Sequence, residues 1–169
     1  MQFKTGDKVI YSGFGLCVIK NIKQMSFSSD RPKEDYLVLY PVSNPSSTFY
    51  VPEKSAPTEL RLPLNKDEIL SLLEKAKKSD PVWTDNRQIR SDKFRAILSK
   101  GVSEELISLL NCLYCRREEL QQQNKNLSFT DEAVFSNAEK LLHEEFAYSL
   151  KINKSEVNRF ISDFFQCEQ

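Results

Sequence analysis

Short apolar runs alternate with turn residues in the first third of the chain, a pattern that predicts short β-strands. The runs are rich in β-branched and aromatic residues, and serine, glycine, asparagine and proline separate them. They cover residues 8–11, 16–22, 36–40 and 49–52. Four or five such strands predict a strongly bent sheet or an SH3/Tudor-like barrel over residues 1–62.

From residue 63 to residue 169 the apolar positions recur every three or four residues, which is the period of an amphipathic helix. No proline follows Pro81, and proline is the residue that most strongly breaks a helix. The first predicted helix covers 66–78 after the cap Asn65, and the second starts between 83 and 87 and ends by Gly101. Ser103 is predicted to cap the third. The fourth begins at Ser128 and Asp131, which have capping-box spacing, and runs to about 149, and the last covers 155–165. The predicted fold class is therefore α+β, with a β domain at 1–62 and an all-α helical domain at 63–169.

Charge is unevenly distributed along the chain, although the 24 basic and 24 acidic residues cancel. Residues 75–100 hold eight basic and three acidic side chains, whereas residues 101–169 hold seven basic and twelve acidic ones. A basic stretch of this kind can neutralise DNA phosphates. The alternative, which charge alone favours, is a solvated face that pairs with the acidic helices after it.

The residue types that usually carry catalysis or hold cofactors form no credible site in this sequence. Four glycines are too few and wrongly spaced for a dinucleotide-binding GxGxxG or a phosphate-binding P-loop. Cys112 and Cys115 form a CxxC, but it lacks a second ligand pair for zinc, and its mid-helix position favours buried core thiols. The single histidine, His143, has no nucleophile motif nearby. We predict no enzyme, no cofactor, no metal and no small-molecule substrate.

The sequence also predicts a cytoplasmic protein without a membrane segment. No apolar run is long enough to span a bilayer. Residues 1–10 lack the basic stretch and apolar core of a signal peptide, so we expect the four cysteines to stay reduced.

Trp83 is the only tryptophan, and it lies outside the periodic apolar runs, within the basic stretch. An indole beside arginines can wedge between or stack on bases while the guanidinium groups hold phosphates. Alternatively, Trp83 clamps its loop onto the helical core, because large aromatic residues are mostly buried. Arg87 and Arg90 share a helical stripe with apolar residues, so pairing with an acid at the end of that stripe is a second interpretation for them.

Four aromatic residues in the β domain, Tyr11, Phe14, Phe49 and Tyr50, also allow two interpretations. They can form an aromatic cage or a peptide groove on a Tudor-like barrel. They can equally form the core and rim of that barrel, which is the more common arrangement for any single aromatic residue.

An ordered set of motifs gives the chain a resemblance to one known family. The motifs of the β domain are FKTGDKVIY at 3–11, GFGLCVI at 13–19, DYLVL at 35–39, STFYVP at 47–52 and LRLP at 60–63. They resemble CarD-type bacterial transcription regulators, whose first module also occurs in the transcription–repair coupling factor. In the second half, WTDNRQIR at 83–90 resembles a variant of Firmicute-type members, and residues 113–117 and 131–147 resemble the later helices of the family.

The resemblance implies that the Tudor-like domain docks on the β subunit of bacterial RNA polymerase, partly by strand pairing at a sheet edge. Some members carry arginines near the ends of the polymerase-facing strands, where this chain aligns Met25 and Tyr50. Together with Phe49, these residues predict an apolar contact with the polymerase rather than a charged one.

The resemblance further implies that the helical domain contacts promoter DNA at the upstream edge of the transcription bubble, without strong sequence specificity. The family's minor-groove wedge would fall on Trp83, and its backbone contacts on Arg87, Arg90 and Lys93. The alternative function is a non-enzymatic adaptor that has an SH3/Tudor-like module and a helical scaffold, with Trp83 in the core.

Overall fold

The strand-forming runs pair into one antiparallel sheet in a computed structural model that describes residues 3–30, 32–80 and 82–166. The strands are β1 Lys8–Tyr11, β2 Gly15–Met25, β3 Glu34–Pro41, β4 Phe49–Pro52 and β5 Leu60–Arg61. Their order in the sheet is β4-β3-β2-β1-β5. Strand β2 runs further than predicted, and a one-turn helix that the pattern did not reveal, α1 Ala56–Glu59, precedes β5. The sheet and α1 belong to the first of two compact units, Met1–Pro63 and Leu64–Gln169.

Alternation along the strands builds the core of the first unit. Leu37 and Leu39 of β3 and Val51 of β4 are fully buried, and Leu37 is paired with Val51 in the register. Successive strand residues point to opposite faces, so Tyr50, between two core-facing neighbours, points away from this core. Strand β4 is at the edge of the sheet, where one side of its backbone is available for pairing.

Five longer helices form the described part of the second unit, and the predicted α+β fold class is confirmed. They are α2 Lys66–Lys78, α3 Arg87–Lys100, α4 Ser103–Gln122, α5 Phe129–Leu150 and α6 Lys154–Gln166. All five helices contribute buried side chains to one core, in which Leu73, Phe94, Leu113 and Phe146 are fully buried. Burial of each such side chain stabilises the unit by about 1.5–3 kcal/mol. Within the described ranges, no helix is both long enough and apolar enough to cross a membrane.

The helix ends agree with the predicted caps except at α4. Asn65 and Glu68 form a reciprocal capping box at α2, and Gly101 ends α3 in the left-handed region with φ of 62°. The prediction that Ser103 caps α4 is wrong, because the N-cap is Val102. The Ser103 hydroxyl instead donates to the buried carboxylate of Glu145, 3.1 Å away, which also accepts from the backbone N–H of Leu64 at 2.9 Å. A buried carboxylate needs such donors, and α4 begins at Val102 without a side-chain cap hydrogen bond.

Candidate functional site

The three residues predicted to contact the polymerase lie in two different clusters of the first unit. Phe49 packs against the core, and its ring centroid lies 5.5 Å from that of Tyr11 and 4.5 Å from that of Phe14. Met25 and Tyr50 belong to the other cluster. Phe49 and Tyr50 are consecutive in β4 and therefore point to opposite faces.

Phe27 joins Met25 and Tyr50 into one exposed aromatic surface, here called the Phe27 patch (Met25, Phe27, Tyr36 and Tyr50). The Phe27 ring meets Tyr36 edge-on at 5.1 Å and Tyr50 at 5.8 Å between centroids. Phe27 is 65% exposed and Tyr50 43% exposed. Met25, Phe27 and Tyr36 also line a surface depression of about 360 Å³. Exposed aromatic residues around a depression are suited to protein recognition.

Sequence reasoning missed Phe27 because it lies in a predicted turn between strands, where no periodicity marks it. The available signal was the residue type, since a large aromatic residue between serines in a turn is unusual. The four aromatic residues that the sequence analysis grouped therefore lie in two places, with Tyr50 in the Phe27 patch and the other three in a separate cluster. The rings of Tyr11, Phe14 and Phe49 touch one another and leave no space between them for a cation. Burial and the neighbouring carboxylate of Glu59 raise the pKa of Tyr11.

In the helical unit, Trp83 is half-buried at the edge of the core, in the segment between α2 and α3. Its ring centroid lies 6.4 Å from that of Phe94, and its Nε1–H donates to the Asp85 carboxylate at 3.1 Å. Two guanidinium groups lie near the indole, with Cζ of Arg90 at 4.2 Å and Cζ of Arg116 at 5.1 Å from the ring centroid. Both distances are within the range of a cation–π interaction.

Arg90 is buried and makes a two-point ion pair with Asp131 at the start of α5. Its Nε donates to one carboxylate oxygen at 3.2 Å and its Nη2 to the other at 3.1 Å. Its Nη1 donates to the backbone carbonyl of Thr84 at 2.8 Å, which ties α3 to the Trp83 segment. This is the pairing with an acid that the helical stripe allowed for Arg90. A direct phosphate contact would require this buried pair to open.

Asp131 also explains why the predicted capping box at α5 is only half formed. Ser128 caps the helix by accepting from the Asp131 N–H at 3.1 Å. The Asp131 carboxylate does not complete the box, because it accepts from the Ser128 hydroxyl at 2.7 Å and from Arg90. The same aspartate therefore serves the helix end and the arginine under Trp83.

Arg87 and Lys93 are the exposed cations among the predicted DNA contacts. Neither forms an ion pair with any residue that the structure describes. Lys93 lines a groove of about 670 Å³ that Val82 also lines, so it lies on the same side of α3 as the segment next to Trp83. Other basic residues of the stretch do pair with acids, in the pairs Lys75–Glu104, Arg95–Asp92 and Lys100–Glu105. Part of the basic stretch therefore pairs with acidic residues, whereas, among the described residues, Arg87 and Lys93 do not.

The CxxC lies beside Trp83 as well. Cys112 is buried, as predicted, and burial raises the pKa of its thiol. The prediction of a buried thiol is wrong for Cys115, which is exposed on α4, and partial burial and nearby glutamates raise the pKa of its thiol too. Both cysteines line a cavity of about 250 Å³ with Trp83 and Arg116. Raised thiol pKa values are the opposite of what a reactive cysteine needs.

His143 lies on α5, beside Asn158 of α6. Burial lowers the pKa of His143, and Lys154 lowers it further, while a hydrogen bond with Asn158 opposes the shift. In the described part of the chain, no group of three or more His, Cys, Asp or Glu side chains could hold a metal ion.

Comparison with known proteins bears on the first unit. Residues 3–62 match the model of the CarD-like/TRCF RID domain, a module that interacts with RNA polymerase. The match supports a CarD-like/TRCF RID domain in the first unit, and this domain suggests a family of proteins that interact with RNA polymerase. A search of curated proteins found no match to the chain.

Proposed function

We propose that this protein is a bacterial, cytoplasmic transcription regulator of the Firmicute type that acts without catalysis. Its first unit docks on the β subunit of RNA polymerase, and its helical unit contacts promoter DNA at the upstream edge of the bubble. The observation that carries the proposal is the match of residues 3–62 to a polymerase-interacting domain. The division into two units, Met1–Pro63 and Leu64–Gln169, is compatible with a separate partner for each.

The docking surface that we propose is the Phe27 patch together with the open edge of β4. Tyr50 belongs to both, because it lies on the edge strand and points toward Phe27. Strand pairing would supply backbone hydrogen bonds, and the exposed aromatic rings would supply apolar contact. Phe49, the third predicted contact, would act at the other face of β4, beside Phe14.

For DNA we propose that Trp83 contacts the bases and that Arg87 and Lys93 hold the backbone. Free, exposed cations can release counterions from DNA, whereas a cation that is already paired gains less. Arg90 was predicted with them. Its ion pair with Asp131 and its distance of 4.2 Å from the indole favour a positioning role for it.

Such a regulator would change open-complex stability only through differential affinity. An indole that inserts where bases are unstacked binds open DNA better than closed duplex, and the equilibrium shifts by that difference alone. Contacts to backbone and stacked surfaces do not read base edges, so the effect would extend to many promoters.

Polymerase docking is tested with the full chain and the purified β subunit of a bacterial RNA polymerase. We expect saturable binding that Phe27→Ala or Tyr50→Ala weakens by about tenfold, since each removes an exposed anchor. Phe14→Ala is the matched control, because Phe14 is also an exposed phenylalanine but belongs to the Tyr11–Phe49 cluster. Absence of binding by the folded full chain would refute docking, and equal loss in Phe14→Ala would move the contact to the Phe49 side.

The DNA role is tested on polymerase–promoter complexes. We expect Trp83→Ala to shorten the lifetime of the open complex while docking on the β subunit is unchanged. An unchanged lifetime with normal docking would favour the adaptor function instead. The partial burial of Trp83 against the helical core is the observation that supports this second candidate.

A further inference from the structure

We infer that Arg116 of α4 is a DNA phosphate contact beside Trp83. This inference rests on the proposed function, because it concerns the DNA that Trp83 would touch. Arg116 lies outside the basic stretch at 75–100, in a part of the chain where acidic residues outnumber basic ones. The folded helices nevertheless bring it to the indole.

Proximity is the first reason. The Arg116 Cζ lies 5.1 Å from the centroid of the Trp83 ring, and both side chains line the same cavity. A base or sugar that touches the exposed part of the indole has its phosphate within a few ångströms, which is the reach of a neighbouring guanidinium. The planar fork of arginine also matches two phosphate oxygens.

Availability is the second reason, and it separates Arg116 from Arg90. The side chains of the Arg90–Asp131 pair are 9% and 6% exposed, so opening this pair would leave a buried charge without its partner. The side chains of the Arg116–Glu119 pair are 35% and 59% exposed, and a surface pair of this kind contributes little to stability. Arg116 can therefore exchange its carboxylate for a phosphate at little cost.

Acidic neighbours set the competition at this place. The Nη1 of Arg116 donates to Glu119 at 2.8 Å, and its buried Nε has no hydrogen-bond partner among the residues that the structure describes. Asp80 and Glu119 are the acidic residues that line the same cavity, so they oppose an anion there. Glu119 in particular competes with the phosphate, and its removal should release Arg116.

The test measures the affinity of the full chain for a fluorescent DNA duplex with a central mismatched bubble, across a series of salt concentrations. We expect Arg116→Gln to weaken binding by about tenfold and to reduce the slope of log affinity against log salt by about 0.9, the value for one lost phosphate contact. Arg116→Lys keeps the charge and should retain the slope. Glu119→Gln should tighten binding, whereas Glu118→Gln, one residue away, should have a smaller effect.

Arg159→Gln is the matched control, because Arg159 is exposed and also pairs with an acid one turn away in its own helix, Asp163. If Arg116→Gln binds with the same affinity and slope as Arg159→Gln, while Trp83→Ala weakens binding, the inference is wrong and the proposed DNA role stands. If the wild-type chain does not bind the bubble duplex, the proposed DNA role fails and the inference fails with it. An unchanged far-ultraviolet circular dichroism spectrum of each unbound variant verifies that the helical fold is intact.

Discussion

Replacement of Asp131 by asparagine tests whether the buried ion pair holds the Trp83 segment in place. The substitution keeps the size of the side chain but leaves the Arg90 guanidinium without its counter-charge in a site where both side chains are less than a tenth exposed. Removal of one partner from a buried pair costs about 3–5 kcal/mol. Asparagine can still accept one hydrogen bond, so we expect a loss of about 3 kcal/mol in the free energy of unfolding.

The assay is urea unfolding followed by tryptophan emission and by circular dichroism. Trp83 is the only tryptophan, so its emission reports the helical unit without a contribution from the sheet unit. Since the Arg90 Nη1 also binds the Thr84 carbonyl, the variant should shift the emission of the folded state to longer wavelength, because the segment loosens around the indole.

The control is Asp163→Asn, which removes the acid from an exposed pair whose side chains are 85% and 62% exposed. We expect it to change stability by no more than about 0.5 kcal/mol. The double variant Arg90→Met with Asp131→Leu should recover most of the lost stability, because two apolar residues leave no buried charge unpaired. A loss in Asp131→Asn no larger than that of the control would refute the ascribed role of the pair.

Other variants probe the helical unit at separate points. Burial lowers the pKa of His143, so below about pH 6.5 the unfolded chain binds more protons than the folded one, and stability falls with falling pH. His143→Gln should flatten this dependence of stability on pH, and an unchanged dependence would contradict the role of His143. Asn65→Ala removes the cap of α2 and should cost about 1 kcal/mol in urea unfolding, whereas no measurable change would mean that the capping box adds nothing. Phe94→Ala should lower the free energy of unfolding by about 3–5 kcal/mol, because it empties a fully buried position. Phe129→Ala, at a residue that is 91% exposed, should change it by less than about 0.5 kcal/mol, and similar values for the two variants would refute the packing.

Local pattern predicted most of the fold. The spans 8–11, 49–52 and 66–78 coincide with β1, β4 and α2, because alternation, helical period and caps depend on neighbours in sequence. Strand β5 has two residues, too few to show any alternation. The wrong cap at Ser103 has a different cause, since its hydroxyl is taken by Glu145 on another helix. Residues next to Ser103 in the sequence give no sign of a partner that lies on another helix.

The candidate sites were less predictable, because their members come from separate elements. Family resemblance pointed to Tyr50 and Trp83, and both proved to be accessible at least in part. It assigned no role to Phe27 or Arg116, since the first lies in a loop without periodicity and the second on a helix of opposite net charge. The chemistry of a surface patch depends on which elements fold side by side, and spacing along the chain does not contain that information.

The surroundings of Trp83 limit how it could act on DNA. Each cation–π contact is worth about 0.5–2 kcal/mol, so full extraction of the indole from Arg90 and Arg116 would cost about 1–4 kcal/mol. That cost would be subtracted from the preference for open DNA and would reduce it by about fivefold to a thousandfold. A contact that uses the exposed edge of the indole in place avoids this loss and keeps both arginines where they are. In that arrangement the buried Arg90–Asp131 pair would favour DNA binding by holding the ring in one orientation. Loosening that pair should then weaken the open-complex effect without the loss of a direct DNA contact from either residue.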